Sequence, residues 1–284
     1  MPVRALALVA LAALFHAAWN ALTKRARDGF LFLWSSMALA SLAMLPFAAR
    51  FDLGATVAPG PLALVVASAV VHAAYFWSLT AAYRVGDFAL VYPVARGLGV
   101  ALAPPLAFVV FGERLSTQGA LGVGLVVAGI FASGLSTRAR GIAAALRQGG
   151  AFAVLTGVLI AAYTLVDAAA ARRVHPLPFV TLSSLGAVIL LAPAALARRG
   201  DLTREWRENG RTILLASTMS LSGYVLVLFA YRLAKTGYVV ATREVSIVLS
   251  AFVGSVLFRE GNVGRRLGAA AVILAGVACV ATAR

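Results

Sequence analysis

The chain has 284 residues, of which 62% belong to the hydrophobic class and only 12% are charged, and its mean hydropathy is +0.92. This composition lies far from the roughly half-apolar, quarter-charged profile of soluble domains and excludes an ordinary water-soluble fold. The formal net charge of +15 does not indicate a nucleic-acid binder, because the arginines interrupt long apolar runs instead of forming one solvated face.

Long apolar segments follow one another along the whole chain. A bilayer core about 30 Å thick needs roughly 20 apolar residues in a helix that rises 1.5 Å per residue. Segments that meet this requirement lie near 4–23, 30–49, 61–83, 87–111, 117–136, 149–171, 177–197, 211–231, 236–258 and 264–283. Because lipid requires every backbone polar group to be paired internally, the sequence predicts an all-α integral membrane protein with ten transmembrane helices.

The first and third predicted helices carry polar residues within their apolar runs. His16 and Asn20 lie four residues apart and therefore share one helix face, and Trp19 is beside them. His72 in the third helix is a further candidate for the same cavity. Two interpretations stay open for the histidines, which either line a substrate cavity or form hydrogen bonds between packed helices. Trp19 either joins an aromatic pocket or anchors the helix at the membrane interface.

The fourth predicted helix contains Arg96, with Tyr92 one turn earlier on the same face. An ionised guanidinium within a bilayer is costly, so such residues usually face a water-filled cavity or a charged partner. We therefore expect Arg96 to belong to a functional site near the membrane midplane.

The second half of the chain repeats the first. A shift of 147 residues aligns Asn20 with Asp167, Arg25 with Arg172, Pro46 with Pro193, Arg96 with Arg243, Phe111 with Phe258, Glu113 with Glu260 and Gly129 with Gly276. Since each half holds an odd number of helices, the second half enters the membrane in the opposite sense. The sequence thus predicts two inverted five-helix repeats, 1–140 and 146–284, with a substrate site where they meet.

The repeat places candidate site residues in the second half as well. Tyr163 and Asp167 match His16 and Asn20, and they again lie on one helix face. The carboxylate of Asp167 either lines the cavity or, being near a helix end, reaches water.

Arg243 is followed directly by Glu244, and this pair leaves two hypotheses open. In the first, Arg96 and Arg243 converge and bind a carboxylate or phosphate through their guanidinium forks; in the second, each arginine locks a helix end. Neighbours on a helix point about 100° apart, so Glu244 is predicted to form a salt bridge with Arg96 across the bundle. The alternative role for Glu244 is as a titratable group in proton coupling.

These residues resemble the drug/metabolite transporter superfamily, in particular its ten-helix EamA-type members. The resemblance rests on 111–115 (FGERL), the glycine-rich stretches 119–129 and 268–276, 258–260 (FRE), and 16–20 (HAAWN). It implies a proton-coupled or exchange transporter of small metabolites with both termini in the cytoplasm. The second copy departs from the family pattern, because Arg259-Glu260-Gly261 replaces Gly-Glu-Arg. We predict interfacial capping and loop pairing for Glu113 and Glu260, and close helix packing for the glycines, either within the chain or between subunits.

Motifs for other chemistry are missing. The chain contains no phosphate-binding Gly-x-x-x-x-Gly-Lys loop and no His-Glu-x-x-His metal motif, and its single cysteine, Cys279, excludes a disulfide framework. We expect no catalytic residue, no cofactor and no metal.

The predicted function is secondary active transport, by efflux or exchange, of small organic metabolites that bear a carboxylate or phosphate. The predicted mechanism is alternating access in the inner membrane. The partners are then the substrate, the lipid bilayer and protons as a coupling ion, without nucleic acid, in a monomer or homodimer. The alternatives are a membrane enzyme that acts on a lipid-linked phosphate and a non-transporting scaffold. The cations are fewer on the side of the termini, so the positive-inside rule places both termini outside, against the family's usual orientation.

Overall fold

The structure is a computed structural model that describes residues 1–23, 26–85, 88–134, 150–249 and 263–283. Within these ranges the chain is helical and no residue lies in a β-strand. The helices are α1 (Val3–Thr23), α2 (Gly29–Ala48), α3 (Leu53–Val57), α4 (Pro59–Val85), α5 (Phe88–Phe111), α6 (Thr117–Gly134), α7 (Ala151–Ala171), α8 (Pro176–Leu196), α9 (Arg199–Leu233), α10 (Thr236–Arg243) and α11 (Val263–Thr282). The predicted boundary between the repeats at 140–146, the predicted span end at 250–258, and Arg25, Phe258 and Glu260 lie outside the described residues.

Apolar helices of membrane-spanning length dominate the fold. Seven helices of the described chain are long and apolar enough to cross a bilayer, namely α1, α2, α4, α5, α7, α8 and α9. Two further apolar stretches, Thr117–Ser133 in α6 and Leu267–Thr282 in α11, are slightly shorter. The predicted all-α architecture is confirmed, and the total of ten spans stays a prediction.

The outer surface of the bundle is apolar, as lipid contact requires. Val109, Leu121 and Ile189 each expose more than 60% of their surface. Inside the bundle, by contrast, the largest side chains with almost no exposure include Phe32, Phe179 and Tyr231. Large apolar residues on both sides of the helices are typical of a protein whose solvent is the bilayer.

Short polar caps define several helix starts. The Asp28 carboxylate accepts a hydrogen bond from the Leu31 N–H at 3.0 Å and begins α2, and Asp52 does the same for Ala55 at 2.9 Å in α3. At α8, His175 Nδ1 accepts from the Leu177 N–H at 3.3 Å. Partial burial, and then the charge of Arg232, lower the pKa of His175. The ring is therefore neutral at physiological pH and retains the lone pair that the cap needs.

Two predicted spans differ from the observed helices. The eighth was expected at 211–231, but α9 begins at Arg199 and has 35 residues. Its polar start is stabilised because the Glu205 carboxylate accepts hydrogen bonds from the Asp28 N–H at 2.9 Å and from Asn209 at 2.8 Å. The ninth was expected as one helix over 236–258, but α10 ends at Arg243, and Glu244 lies in a turn before helical residues 245–249. The Glu244 N–H there turns back to the Ala241 carbonyl, at 3.2 Å.

Helix packing follows a reciprocal pattern between the two halves. Under the 147-residue shift, α1 corresponds to α7 and α4 to α9. Accordingly α1 packs on α9, while α7 packs on α4. The pairs α2 with α8 and α6 with α11 join helices that occupy the same place in each half. This pattern is expected for two copies related by a twofold axis in the membrane plane.

The two chain ends lie on one side of the bundle. The Met1 ammonium donates hydrogen bonds to the carbonyls of Ala281 and Ala283 at 3.0 and 2.9 Å. We call this face the terminal side and the other face the opposite side.

Candidate central cavity

A cavity of about 150 Å³ lies in the middle of the bundle. Its wall is built from α1, α2, α4, α5, α7, α8, α9 and α10, so both predicted repeats contribute. One water needs roughly 10–15 Å³ of such volume, so the cavity accommodates several waters or a small organic molecule.

Six of the ten residues predicted for the site line this cavity. They are His16, Trp19, His72, Arg96, Tyr163 and Arg243. The other four lie behind or beside it. Asp167 and Glu244 are almost completely buried behind the wall, Tyr92 packs against the main apolar core, and the Asn20 amide donates to the His16 carbonyl of its own helix at 2.8 Å.

Arg96 and Glu244 form the cross-bundle salt bridge that the sequence predicted. Arg96 Nη2 lies 2.7 Å from Glu244 Oε1, and Nε lies 3.3 Å from Oε2, so the guanidinium fork holds the carboxylate with two hydrogen bonds. The two side chains expose 6% and 2% of their surface. The Arg96 guanidinium is therefore already occupied by Glu244. It is not free to bind a substrate together with Arg243, as the hypothesis of two converging forks requires.

Arg243 has a different environment. It is 8% exposed and lines the cavity, and no described residue forms a hydrogen bond or ion pair with its guanidinium. Arg96, Tyr163, Tyr231 and the carboxylate of Glu244 lie within electrostatic range of it, without a hydrogen bond or ion pair. A buried cation without a hydrogen-bond or ion-pair partner is costly unless water or an anion binds to it.

Ser36 also presents an unsatisfied polar group to the cavity. The residue is 3% exposed and lines the cavity from α2. Its hydroxyl has no hydrogen-bond partner among the described residues. Ser36 was not among the residues predicted for the site, since serine is common in membrane helices and usually forms a hydrogen bond with the backbone of its own helix. Ser36 and Arg243 are thus two polar groups, on α2 and α10, that a ligand can satisfy.

Asp167 is the centre of a buried polar cluster. Its Oδ1 accepts a hydrogen bond from the Ser68 hydroxyl at 2.6 Å, Tyr224 donates to its Oδ2, and His72 Nε2 lies 3.8 Å from Oδ2. The expectation that Asp167 reaches water at a helix end is wrong, because Asp167 is 0% exposed. Ser68 and Tyr224 were not in the predicted site, although Ser68 lies four residues before His72 and therefore on the same helix face.

Aromatic rings form much of the remaining wall. His72 stacks on Tyr163 with ring centroids 4.5 Å apart, and Tyr75 meets Tyr163 edge to face at 5.5 Å. Trp19 packs edge to face on His16 at 5.1 Å. The cavity is therefore mainly apolar and aromatic, with few polar groups, as is usual for sites that bind small organic molecules.

A polar cluster closes the bundle on the terminal side. The Glu113 carboxylate accepts hydrogen bonds from the Thr236 N–H at 2.6 Å and hydroxyl at 3.0 Å, and it pairs with Arg172. This geometry caps the start of α10 and joins it to the ends of α5 and α7, which confirms the predicted capping and pairing role of Glu113.

A second cluster joins helices on the opposite side. Arg198 binds Asp28 at 2.6 Å, and the Trp206 indole donates to the Ser35 hydroxyl at 3.0 Å. Both ends of the bundle thus carry polar links between its helices. No group of three His, Cys, Asp or Glu side chains suited to a metal ion occurs in the described parts of the chain.

Comparisons with known proteins agree with these features. The model of the EamA-like transporter family matches residues 147–282. A multidrug transporter from Pseudomonas aeruginosa is 37% identical over 83 residues, which are 29% of this chain and 73% of that protein. A crystal structure with 18% sequence identity superposes with a TM-score of 0.78 and covers 99% of this chain and 97% of its own. This last likeness concerns the fold alone.

Proposed function

We propose that this chain, which belongs to the EamA-like transporter family of the drug/metabolite transporter superfamily, is a secondary active transporter of small organic anions. Membership of this family makes the chain a multi-pass membrane transporter and not an enzyme. The substrate class, the alternating-access mechanism and the location in the inner membrane are parts of our proposal.

The observation that carries the proposal is the unpaired guanidinium of Arg243 in the cavity wall. Arg96 is neutralised by Glu244, whereas Arg243 has no partner among the described residues. A carboxylate or phosphate can satisfy the Arg243 fork with two parallel hydrogen bonds, and it removes the cost of the isolated buried charge. The free hydroxyl of Ser36 can donate one more hydrogen bond to the same anion.

The aromatic wall favours an anion with an apolar or aromatic body. Tyr75, Phe76, Tyr163 and Tyr224 all line the cavity. Apolar contacts with these rings supply affinity, while the guanidinium of Arg243 fixes the orientation of the anionic group.

Alternating access is supported by the position of the cavity between the two polar links. Breaking the Glu113 cluster opens a path from the terminal side, and breaking the Arg198–Asp28 link opens one from the opposite side. A carrier that opens one side at a time, with the halves rocking around a central site, fits the reciprocal packing of α1 on α9 and α7 on α4. A monomer contains the complete cavity, and a homodimer is compatible with it.

The test is binding and transport by purified protein. In nanodiscs, calorimetry compares benzoate and phenyl phosphate with benzamide, a neutral molecule of the same shape as benzoate. In proteoliposomes, uptake of labelled carboxylates and phosphorylated metabolites is measured with and without a pH gradient. We expect the anions to bind and benzamide not to bind.

Variants at Arg243 assign the effect to one group. Arg243→Gln should weaken benzoate binding by at least about 30-fold, equivalent to ~2 kcal/mol, because the anion then lacks its counter-charge. Arg243→Lys should retain part of the affinity, since it keeps the charge but loses the fork. Arg207→Gln, which removes an exposed arginine outside the cavity, is the matched control. Equal binding of benzoate and benzamide, or unchanged binding in Arg243→Gln, would contradict the proposal.

A further inference from the structure

The hydrogen bonds around His72 determine which of its ring nitrogens carries hydrogen. The single hydroxyl proton of Ser68 is directed to Asp167 Oδ1, at 2.6 Å. Both oxygens of Ser68 that face His72 Nδ1 then act as acceptors, the carbonyl at 2.9 Å and the hydroxyl at 3.2 Å. Since two acceptors surround Nδ1, this nitrogen must donate.

In a neutral imidazole with hydrogen on Nδ1, the other nitrogen is an acceptor with an exposed lone pair. Here Nε2 faces Asp167 Oδ2, which is 3.8 Å away and is also an acceptor when ionised. Two lone pairs that face each other leave room for one more proton. With that proton on Nε2, the pair becomes an imidazolium and a carboxylate at ion-pair distance.

We propose that the His72–Asp167 pair is a proton-binding site of the transporter, and that it binds one proton together with the anion at Arg243. The second part rests on the function proposed above. In the binding step the Nε2 lone pair takes a proton from a hydronium ion in the cavity, so that an N–H bond forms and an O–H bond breaks to leave water, and release reverses both changes.

Several titratable or charged groups lie around the pair. Tyr163 on α7 and Tyr224 on α9 contact the His72 ring, and Tyr75 on α4 contacts Tyr163. The α5 cation Arg96 is bound to Glu244, and His16 on α1 lies in the same cavity wall. On α10 the charge of Arg243 acts on Asp167. From α2 and α8 the cavity receives serines and apolar side chains, which carry no charge.

The charge of Arg243 gives the coupling its sign. An anion bound at Arg243 cancels the positive charge that acts on the pair, so a proton enters the pair more easily. By linkage, a protonated pair strengthens anion binding by the same factor, and typical couplings of this kind are roughly 5- to 150-fold. Proton and anion therefore bind together, which is the requirement for carrying both in one direction.

The first experiment detects the proton without any substrate. The chain has three histidines, so protein with ¹⁵N-labelled histidine in nanodiscs gives few signals, and His72→Gln assigns that of His72. We expect Nδ1 to remain protonated while Nε2 gains a proton when the sample is acidified. In Asp167→Asn, which can still accept from Ser68 and Tyr224, the midpoint of this titration should move. His16→Gln, which alters another cavity histidine, should leave it in place.

Several results would overturn the proton site. They are a protonation change at Nδ1 instead of Nε2, no protonation change at Nε2 on acidification, and a His72 titration unaffected by Asp167→Asn. The thermal unfolding midpoints of Asp167→Asn and of a second variant, Ser68→Ala, are compared with that of the unchanged protein. This control checks that a changed titration does not come from a misfolded protein.

The second experiment tests the coupling. Benzoate binding is measured by calorimetry in buffers of different protonation enthalpy, which gives the number of protons exchanged. We expect uptake of up to one proton per benzoate near the midpoint of the His72 titration, and its loss in Asp167→Asn. Proton release, or no exchange, would overturn co-binding while leaving anion transport intact. If benzoate does not bind at all, the proposed function fails, and the histidine spectra still decide the proton site.

Discussion

Buried charge at the centre of this bundle is compensated residue by residue. Arg96 and Glu244 are each nearly inaccessible, and each satisfies the other through two hydrogen bonds. Such a pair contributes little net stability over apolar residues of the same size, because both charges lost their hydration. Removing only one member, in contrast, leaves an ion in an apolar environment without a partner.

This asymmetry predicts the behaviour of variants of the pair. Glu244→Gln and Arg96→Gln should each destabilise the folded protein by about 3–5 kcal/mol, because each leaves one buried charge unpaired. The double variant Arg96→Gln/Glu244→Gln carries no unpaired charge and should recover a large part of that loss. Thermal unfolding in detergent, followed by intrinsic fluorescence, measures the three differences as a double-mutant cycle. Additive losses in the double variant would contradict a direct pair.

Sequence reasoning identified the charged residues of the site better than its hydroxyls. The Arg96–Glu244 pair was predictable, since Glu244 cannot face its neighbour Arg243 on a helix and needs a cation elsewhere. Ser36 and Ser68 gave no comparable signal, because a hydroxyl within a membrane helix has its own backbone as a ready partner. Only the three-dimensional packing shows that Ser36 lacks a partner among the described residues and that Ser68 donates to Asp167.

At the level of helices, glycines set the distance between α6 and α11. A Cβ added at Gly122 would lie 2.7 Å from the Gly276 carbonyl oxygen, and one at Gly276 would lie 2.6 Å from the Gly122 carbonyl oxygen. Both contacts are with backbone, which cannot rotate away. The predicted close packing of these small residues is therefore realised within one chain, as in other membrane helix pairs.

This contact predicts different results for two glycines of the same helix. Gly276→Ala should destabilise the protein by about 1–3 kcal/mol, the usual cost of overpacking, because α6 and α11 must separate. Gly268→Ala should be neutral or slightly stabilising, since a Cβ there meets no atom within 4 Å and alanine favours the helix. Thermal unfolding midpoints of the two purified variants give the comparison. Equal midpoints would show that the seam between α6 and α11 adapts without strain.

Helix boundaries were less predictable than helix positions. Hydropathy located the apolar part of α9, but it does not register the polar start at Arg199, which is held by contacts of Glu205 with Asp28 and Asn209. The break after α10 is not marked by a polar loop, since the stretches 239–241 and 247–249 that flank it are apolar. There the tertiary salt bridge to Arg96 and the turn at Glu244 occur together.

The whole molecule shows the arrangement that the internal repeat suggested, with a cavity to which both halves contribute. His72 and Arg96 come from the first half, and Tyr163 and Arg243 from the second. Seven residue pairs in register suggested this, because charged residues and prolines rarely coincide by chance in so apolar a chain. The sequence did not predict that Arg243 has no ion-pair partner among the described residues, since the predicted Arg96–Glu244 pair leaves open which group meets Arg243.

Charge is distributed unequally between the two ends of the bundle, and this predicts the orientation in the membrane. On the opposite side, the described chain carries exposed arginines at the α4 end and along the polar start of α9, namely Arg84, Arg199, Arg204, Arg207 and Arg211. The topology predicted from the full sequence assigns fewer cations to the terminal side. Two of these, Arg172 and Lys235, are held by Glu113 and by the Arg114 carbonyl. Short loops rich in Lys and Arg stay in the cytoplasm, so the opposite side should be cytoplasmic and both termini should lie outside.

Single cysteines can test this orientation in intact cells. In a Cys279→Ala background, Ala49→Cys places an exposed thiol on the terminal side, and Gly200→Cys places one on the opposite side, where a Cβ meets no neighbouring atom. A membrane-impermeant maleimide should label Ala49→Cys in intact cells and Gly200→Cys only after permeabilisation. The reverse labelling would place the termini in the cytoplasm, as the family resemblance implies. In that case the arginines of α9 would face outward, and the charge asymmetry would need an explanation other than membrane insertion.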